Sequence, residues 1–162
     1  MFLEPLIVAP VQVQVHLIAA IIALTLGPIN LYRRSRDIAH KVLGYIWVGA
    51  VAVTALSSFL ISGIGIIGPF SPIHILSLWA LWGMWQGVSH IRAGRIHAHS
   101  ATMRAIYWWA FGVAGLLTLL PGRRINGMLF GEREVVGLFV IAIGLAALGL
   151  RAVSSWRSGR QS

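Results

Sequence analysis

Five apolar runs dominate this chain, at residues 11–32, 42–67, 73–91, 103–120 and 135–150, with short polar stretches between them. A helix needs roughly 20 apolar residues to cross the hydrocarbon core of a bilayer, and somewhat fewer where the bilayer is thin. Inside lipid the backbone has no water to bond, so such runs are expected to be helices that satisfy their own amides. Composition agrees, because 57% of the 162 residues are hydrophobic and 10% are charged. That balance leaves too little polar surface for a soluble domain. The pattern predicts an all-α integral membrane protein, a five-helix transmembrane bundle with a four-helix core, in a single domain over residues 1–162. The connections are short, so successive helices are expected to be antiparallel neighbours.

Basic residues set the orientation. With the amino end outside, Arg33, Arg34, Arg36, Lys41, Arg92, Arg95, Arg104, Arg151, Arg157 and Arg160 fall on the cytoplasmic side, against Arg123, Arg124 and Arg133 outside. Short loops rich in Lys and Arg stay in the cytoplasm. The N-terminus is therefore expected outside and the C-terminus in the cytoplasm, in a multi-pass protein of the bacterial cytoplasmic (inner) membrane. A net charge of +9 would raise nucleic acid as a partner of a soluble protein, but these charges are spread between apolar runs. They report topology and contact with lipid headgroups, and no nucleic acid is expected. Glu4 and the lack of a basic residue before the first run are unlike a cleaved signal peptide, so that run is expected to be a helix of the mature protein.

Six histidines among four acidic residues are the informative chemistry, because an imidazole in lipid is costly unless paired, hydrated or ligating. Depth sorts them. His16 lies sixteen residues before Tyr32, about 24 Å from the inner end of its helix. His74 opens the third run from the outer side, while His40 and His99 stand just before the second and fourth runs at the inner surface. The expectation is two layers, each with two histidines, on four different helices. A b-type haem held by two axial imidazoles needs such a pair facing across a bundle, with small residues making room. His16, Ala20, Ala23 and Gly27 share one helical face, and His40, Gly44, Trp47, Val51, Thr54 and Ser58 share another. Arg36 and Lys41 are placed to pair with propionates, although charge anchoring alone also explains them.

Residues 90–104 form a basic, histidine-dense connector. His90 shares a face with Trp79, Gly83 and Gln86 but lies roughly 160° around the helix from His74, which suits an interfacial histidine or proton relay. His97 is either an alternative inner ligand or solvated. The rival reading of all six is that they are polar residues tolerated near headgroups, with His16 bonded to a neighbouring helix. Tyr32, Tyr45, Trp47, Tyr107, Trp108 and Trp109 are expected in an aromatic belt at the inner interface. Trp79, Trp82 and Trp85 lie deeper, as packing or as the wall of a cofactor pocket. Gly27-Pro28, residues 68–72 and Pro121-Gly122 punctuate the runs.

Several chemistries are disfavoured. The chain has no cysteine, which removes disulfides, thiolate metal sites and iron–sulfur clusters. Met84, Met103 and Met128 show no clustering that would suit copper. Zinc hydrolase motifs and serine triads are absent, and Pro121-Gly122-Arg123-Arg124 lacks the lysine of a phosphate loop. No catalytic residue is assigned.

At His40-Lys41-Val42-Leu43-Gly44, residues 70–78 around His74, His99 with Met103 and Tyr107, and residues 115–123, the sequence resembles a bacterial family of predicted membrane proteins, domain of unknown function 2306. The resemblance runs from about the first run to Arg123 and implies a small multi-spanning bundle without an assigned activity. The family pattern places histidines at positions matching His40, His74 and His99, and commonly near His16. A cation usually follows the two inner histidines; Lys41 fits and Ser100 departs. His90 and His97 do not match. Small di-haem b-type cytochromes are similar in general plan, as an analogy of architecture.

Two functions are consistent with these residues. One is a b-type cytochrome-like protein carrying electrons between a quinol or redox chain and a partner, with His16 and His74 on an outer haem b and His40 and His99 on an inner one. The other is a cofactor-free accessory or assembly subunit of a larger membrane complex, packed through Gly137, Ala142, Gly144, Ala146 and Gly149. Beyond the lipid bilayer, the partners to expect are a quinone in the first case and that complex in the second. A small transporter is disfavoured because no Asp or Glu lies within any run.

Overall fold

Every apolar run that is described becomes helix in the structure, a computed structural model that describes residues 8–61 and 72–158. Among those residues there is no strand. We number the helices α1 (Val11–Leu31), α2 (Ile38–Ser58) and α3 (Pro72–Arg92). Helix α4 is continuous but mixed, α-helical over Ile96–Ala105, π-helical over Ile106–Phe111 and α-helical again over Gly112–Leu117. A short α5 (Arg124–Phe130) and a long α6 (Val136–Ser158) follow. The predicted turn at residues 68–72, apart from Pro72, and the end of the second run lie outside the described residues.

Three of these helices are long and apolar enough to cross a membrane: Val11–Leu31, Ile38–Ser58 and Val136–Ser154. Helix α3 has the length, but His74, Ser77, Gln86 and Ser89 dilute its hydropathy. The structure differs from the sequence reading at several boundaries. Helix α2 begins at Ile38 because Asp37 caps it, its carboxylate accepting from the His40 amide at 3.0 Å. The basic stretch 90–104 is two helix ends joined by a tight turn, with Gly94 at φ 71°. There the Arg95 amide bonds the His90 carbonyl at 2.9 Å and the Gly94 amide bonds that of Ile91 at 3.1 Å. This is the double bond of a glycine-terminated helix, which satisfies carbonyls the helix end would leave bare.

Packing follows a square. Helix α1 packs on α2 and α4, and α3 packs on α2 and α4, so α1 and α3 face each other across one diagonal and α2 and α4 across the other. Lipid tails are as apolar as these side chains, so close van der Waals contact and hydrogen bonds hold the bundle. The centre is filled by Ala23, Trp47, Val51, Met84, Met103 and Ile106. Trp47 is 2% exposed and its indole donates to the Ala23 carbonyl at 2.9 Å, which moves it from the expected interfacial belt into the core.

Gly27-Pro28 does not end α1. Proline has no amide hydrogen, so the carbonyl four residues back loses its helical donor. That carbonyl belongs to Leu24, and the Tyr107 hydroxyl of α4 donates to it at 3.3 Å. Gly27 supplies the space, since a Cβ there would stand 2.5 Å from the Tyr107 ring. The small face of α1 thus seats an aromatic side chain of the protein itself.

Helix α6 lies beside the square, against the far half of α4 and against α5. Its entry is fixed by Asn126, which is fully buried. The Asn126 amide donates to the carbonyls of Leu119 and of Glu134, the latter at 2.9 Å, and the Glu134 carboxylate accepts from the Gly122 amide at 2.8 Å. Gly137 leaves room for this lock, because a Cβ there would collide with the Leu119 carbonyl and the Asn126 amide. Trp82 and Trp85 of α3 are 55% and 67% exposed, so they face outward and neither fill the core nor wall a cavity within it.

Candidate functional site

The four histidines singled out by depth fall on the four helices of the square, α1 and α3 carrying His16 and His74, α2 and α4 carrying His40 and His99. Each couple therefore lies across one diagonal, and the filled centre separates the two couples. At one end His16 and His74 both bond the last turn of α2, through the adjacent residues Ser57 and Ser58. At the other, His40 and His99 stand within electrostatic reach of each other.

The His40–His99 couple is built from the end of α1 and the starts of α2 and α4. Arg33 holds the capping Asp37 at 2.7 Å, and this partner, with the His40 amide, lowers the Asp37 pKa to about 2. The same pairing raises the pKa of Arg33. His40 is thus fixed in the first turn of α2. The buried Asn30 amide sits beside it, its nitrogen donating to His40 Nδ1 at 2.8 Å and to the His40 carbonyl at 3.2 Å, its oxygen accepting from the Gly44 amide at 3.3 Å. The Arg36 guanidinium also donates to His40 Nδ1, at 3.4 Å. With Nδ1 accepting, the neutral ring carries its proton on Nε2. His99 is the opposite tautomer. Its Nδ1 donates to the Gly87 carbonyl at 2.8 Å, which leaves the lone pair on Nε2. A ligating histidine is characteristically oriented in this way, by an Nδ1–H bond to a carbonyl.

The His16–His74 couple shows the same asymmetry. The Ser57 hydroxyl donates to the Val53 carbonyl at 2.6 Å, so its oxygen accepts from His16 Nδ1 at 3.0 Å and His16 keeps a lone pair on Nε2. His74 is buried and donates from Nε2 to the Ser58 carbonyl at 3.2 Å. It stacks on Phe59 at 5.2 Å between centroids, and the Ser58 and Ser77 hydroxyls lie 2.8 Å apart beside it. Each diagonal therefore pairs one imidazole poised to accept or ligate at Nε2 with one whose Nε2 carries a proton.

The other two histidines stand apart. His97 is exposed in the first turn of α4. His90 lies in the last turn of α3, and its Nδ1 is buried without a hydrogen-bond partner among the described residues. Among the described residues no three His, Asp or Glu side chains converge, so the imidazoles meet at most in twos. Sequence reading missed the residues that orient them, Asn30, Ser57 and the Gly87 carbonyl. Asn30 had a signal, an amide inside an apolar run, which lipid tolerates only when it is bonded.

No curated protein and no solved structure matches the chain. A family of predicted membrane proteins does match, over residues 13–156, which takes in nearly all of α1, the other three helices of the square and every histidine described above. The chain belongs to that family, DUF2306.

Proposed function

We propose that this is a five-span b-type haem protein of the bacterial inner membrane, with α1, α2, α3, α4 and α6 crossing the bilayer and the amino end outside. The observation that carries the reading is the pairing of imidazoles across both diagonals, one pair toward each end. Two ligands on a diagonal suit a haem iron, which takes two axial donors, better than a bare ion that needs three or four protein ligands. The inner pair is the stronger site. His99 is already oriented by the Gly87 carbonyl. His40 would have to move its proton from Nε2 to Nδ1 to ligate, giving up the bonds that Asn30 and Arg36 donate to Nδ1.

A haem held there would supply one-electron transfer between a quinol or redox chain and a partner. The protein's own part is to fix ring tautomers through Gly87 and Ser57, to offer Arg36 beside His40 for a propionate, and to keep water out through the Trp47–Met103–Ile106 centre. That centre is filled by side chains, so a haem would have to sit beyond it, at the level of each couple.

A pyridine haemochrome assay on the purified, folded chain tests the proposal. We expect at least one haem per polypeptide, reduced by about half or more on His99→Ala. Folded but colourless protein would remove it and leave a second reading, a cofactor-free accessory subunit. That reading draws on the outward row of Trp82 and Trp85 on α3 and on Gly149 of α6, where an added Cβ would meet nothing within 4 Å.

A further inference from the structure

Arg151 is a cation inside the candidate span Val136–Ser154 of α6, fifteen residues after Val136 and so about 22 Å along the helix. Three residues from the end of the span, such a charge stands at headgroup level, within reach of lipid phosphates. Its guanidinium lies over the Trp108 ring, 4.2 Å from the centroid, and donates to the Tyr32 hydroxyl at 3.4 Å. Trp108 also donates to that hydroxyl, at 2.9 Å. Both contacts hold the arginine in place, and neither neutralises it. Among the described residues the one ion pair is Arg33–Asp37, so no carboxylate faces Arg151.

The hydroxyl of Tyr32 tells which chemistry is missing. Its oxygen already receives two donors, so its own proton is left to give, and no acceptor for it stands among the described residues. The remaining guanidinium N–H groups are in the same position. The cluster is thus a set of donors around a cation, complementary to an anionic oxygen. Beside it Leu150 and Val153 of α6 form an exposed apolar face, at 73% and 47% exposure.

We infer that Arg151, Tyr32 and Trp108 hold the phosphate of an anionic phospholipid from the adjacent leaflet, whose acyl chains lie along the exposed apolar face of α6 at Leu150 and Val153. Arg151 forks to the phosphate oxygens, Tyr32 adds one hydrogen bond, and the Trp108 face keeps the guanidinium flat. The lipid in turn ties α6 to α1 and α4 at this end.

The test uses the full chain with phosphatidylglycerol and phosphatidylcholine, bound lipid being counted by native mass spectrometry and thermal midpoints read in nanodiscs of each. Wild type should retain phosphatidylglycerol in preference and melt higher in it. Arg151→Gln should lower the phosphatidylglycerol affinity about fivefold, the effect of one interfacial cation, without changing that for phosphatidylcholine. Tyr32→Phe should lower it by a smaller factor, about twofold. Arg133→Gln, on the far connection, should change nothing. Free glycerol phosphate should not displace the lipid. An unchanged preference in Arg151→Gln, or displacement by glycerol phosphate, overturns the site. If Arg151→Gln does not fold, Tyr32→Phe, which keeps the ring, decides: unchanged affinity overturns the assignment.

Discussion

Tyr107 gives back from α4 the hydrogen bond that Pro28 withholds in α1. The Leu24 carbonyl would bond the amide of residue 28 in an unbroken helix; with proline there, it takes the Tyr107 hydroxyl at 3.3 Å instead. A break in one helix becomes the docking point of another, at the mid-depth of the bundle.

This coupling is measurable as a double-mutant cycle. Tyr107→Phe alone should destabilise by about 1 kcal/mol, at the upper part of the range for hydrogen bonds between membrane helices. In a Pro28→Ala background the Leu24 carbonyl regains its helical donor, and the same substitution should cost little. Thermal or denaturant unfolding in mild detergent gives both numbers. Equal costs in the two backgrounds would show that the hydroxyl serves something other than Leu24.

Glycine substitutions should separate close contact from open surface. Gly27→Ala places a methyl 2.5 Å from the Tyr107 ring, and Gly137→Ala drives one into the Asn126 lock. Each should destabilise by about 1–3 kcal/mol, the usual cost of overpacking. Gly49 meets nothing within 4 Å, so Gly49→Ala should be neutral or slightly stabilising, as expected of a helical glycine. Melting temperatures of the three variants suffice.

Acid should loosen the start of α2. Asp37 has its pKa lowered to about 2 by Arg33 and the His40 amide, so its carboxylate form is favoured in the folded protein. The stability it contributes is therefore complete above the ordinary carboxyl range near 4 and is lost as pH falls toward 2. In Asp37→Ala that part of the acid dependence should vanish, while stability near neutral pH drops by the loss of one helix cap. Circular dichroism followed from pH 6 to 2 distinguishes the two proteins.

Histidine variants should divide by layer. Under the haem reading, His99→Ala and His40→Ala should remove the same spectral component and His16→Ala and His74→Ala another, while His97→Ala leaves both. Asn30→Leu, which cannot steer the His40 tautomer, should shift the inner component's midpoint potential without abolishing haem. A spectrum insensitive to all four ligand variants would take the chemistry elsewhere.

Much of this arrangement is readable from one sequence, and what escapes does so for physical reasons. The span predicted at 11–32 matches Val11–Leu31, because a long apolar run in lipid has one backbone solution. Spacing along the runs is enough to put the four histidines on four helices. Their hydrogen bonds do not follow, since Asn30, Ser57 and the Gly87 carbonyl meet them from other helices or distant turns. Position along a helix likewise gave Trp47 an interfacial level, but its azimuth puts it inside. The prediction of α4 began seven residues late, because residues 96–102 are polar enough to look like a loop. Yet Gly94 permits the turn just before them, and the helix starts at Ile96.

The π-helical stretch Ile106–Phe111 holds one residue more than the same height of ordinary helix would take. Its effect is angular: the two halves of α4 are phased about 100° apart from what a regular helix would give. That offset lets one half aim His99 and Met103 at Gly87 of α3 while the other aims Gly112 and Leu116 at Leu148 and Gly144 of α6. Excising a single residue there would keep both halves helical and yet leave no rotation of the rod that suits both neighbours, so the chain would have to give up one of them.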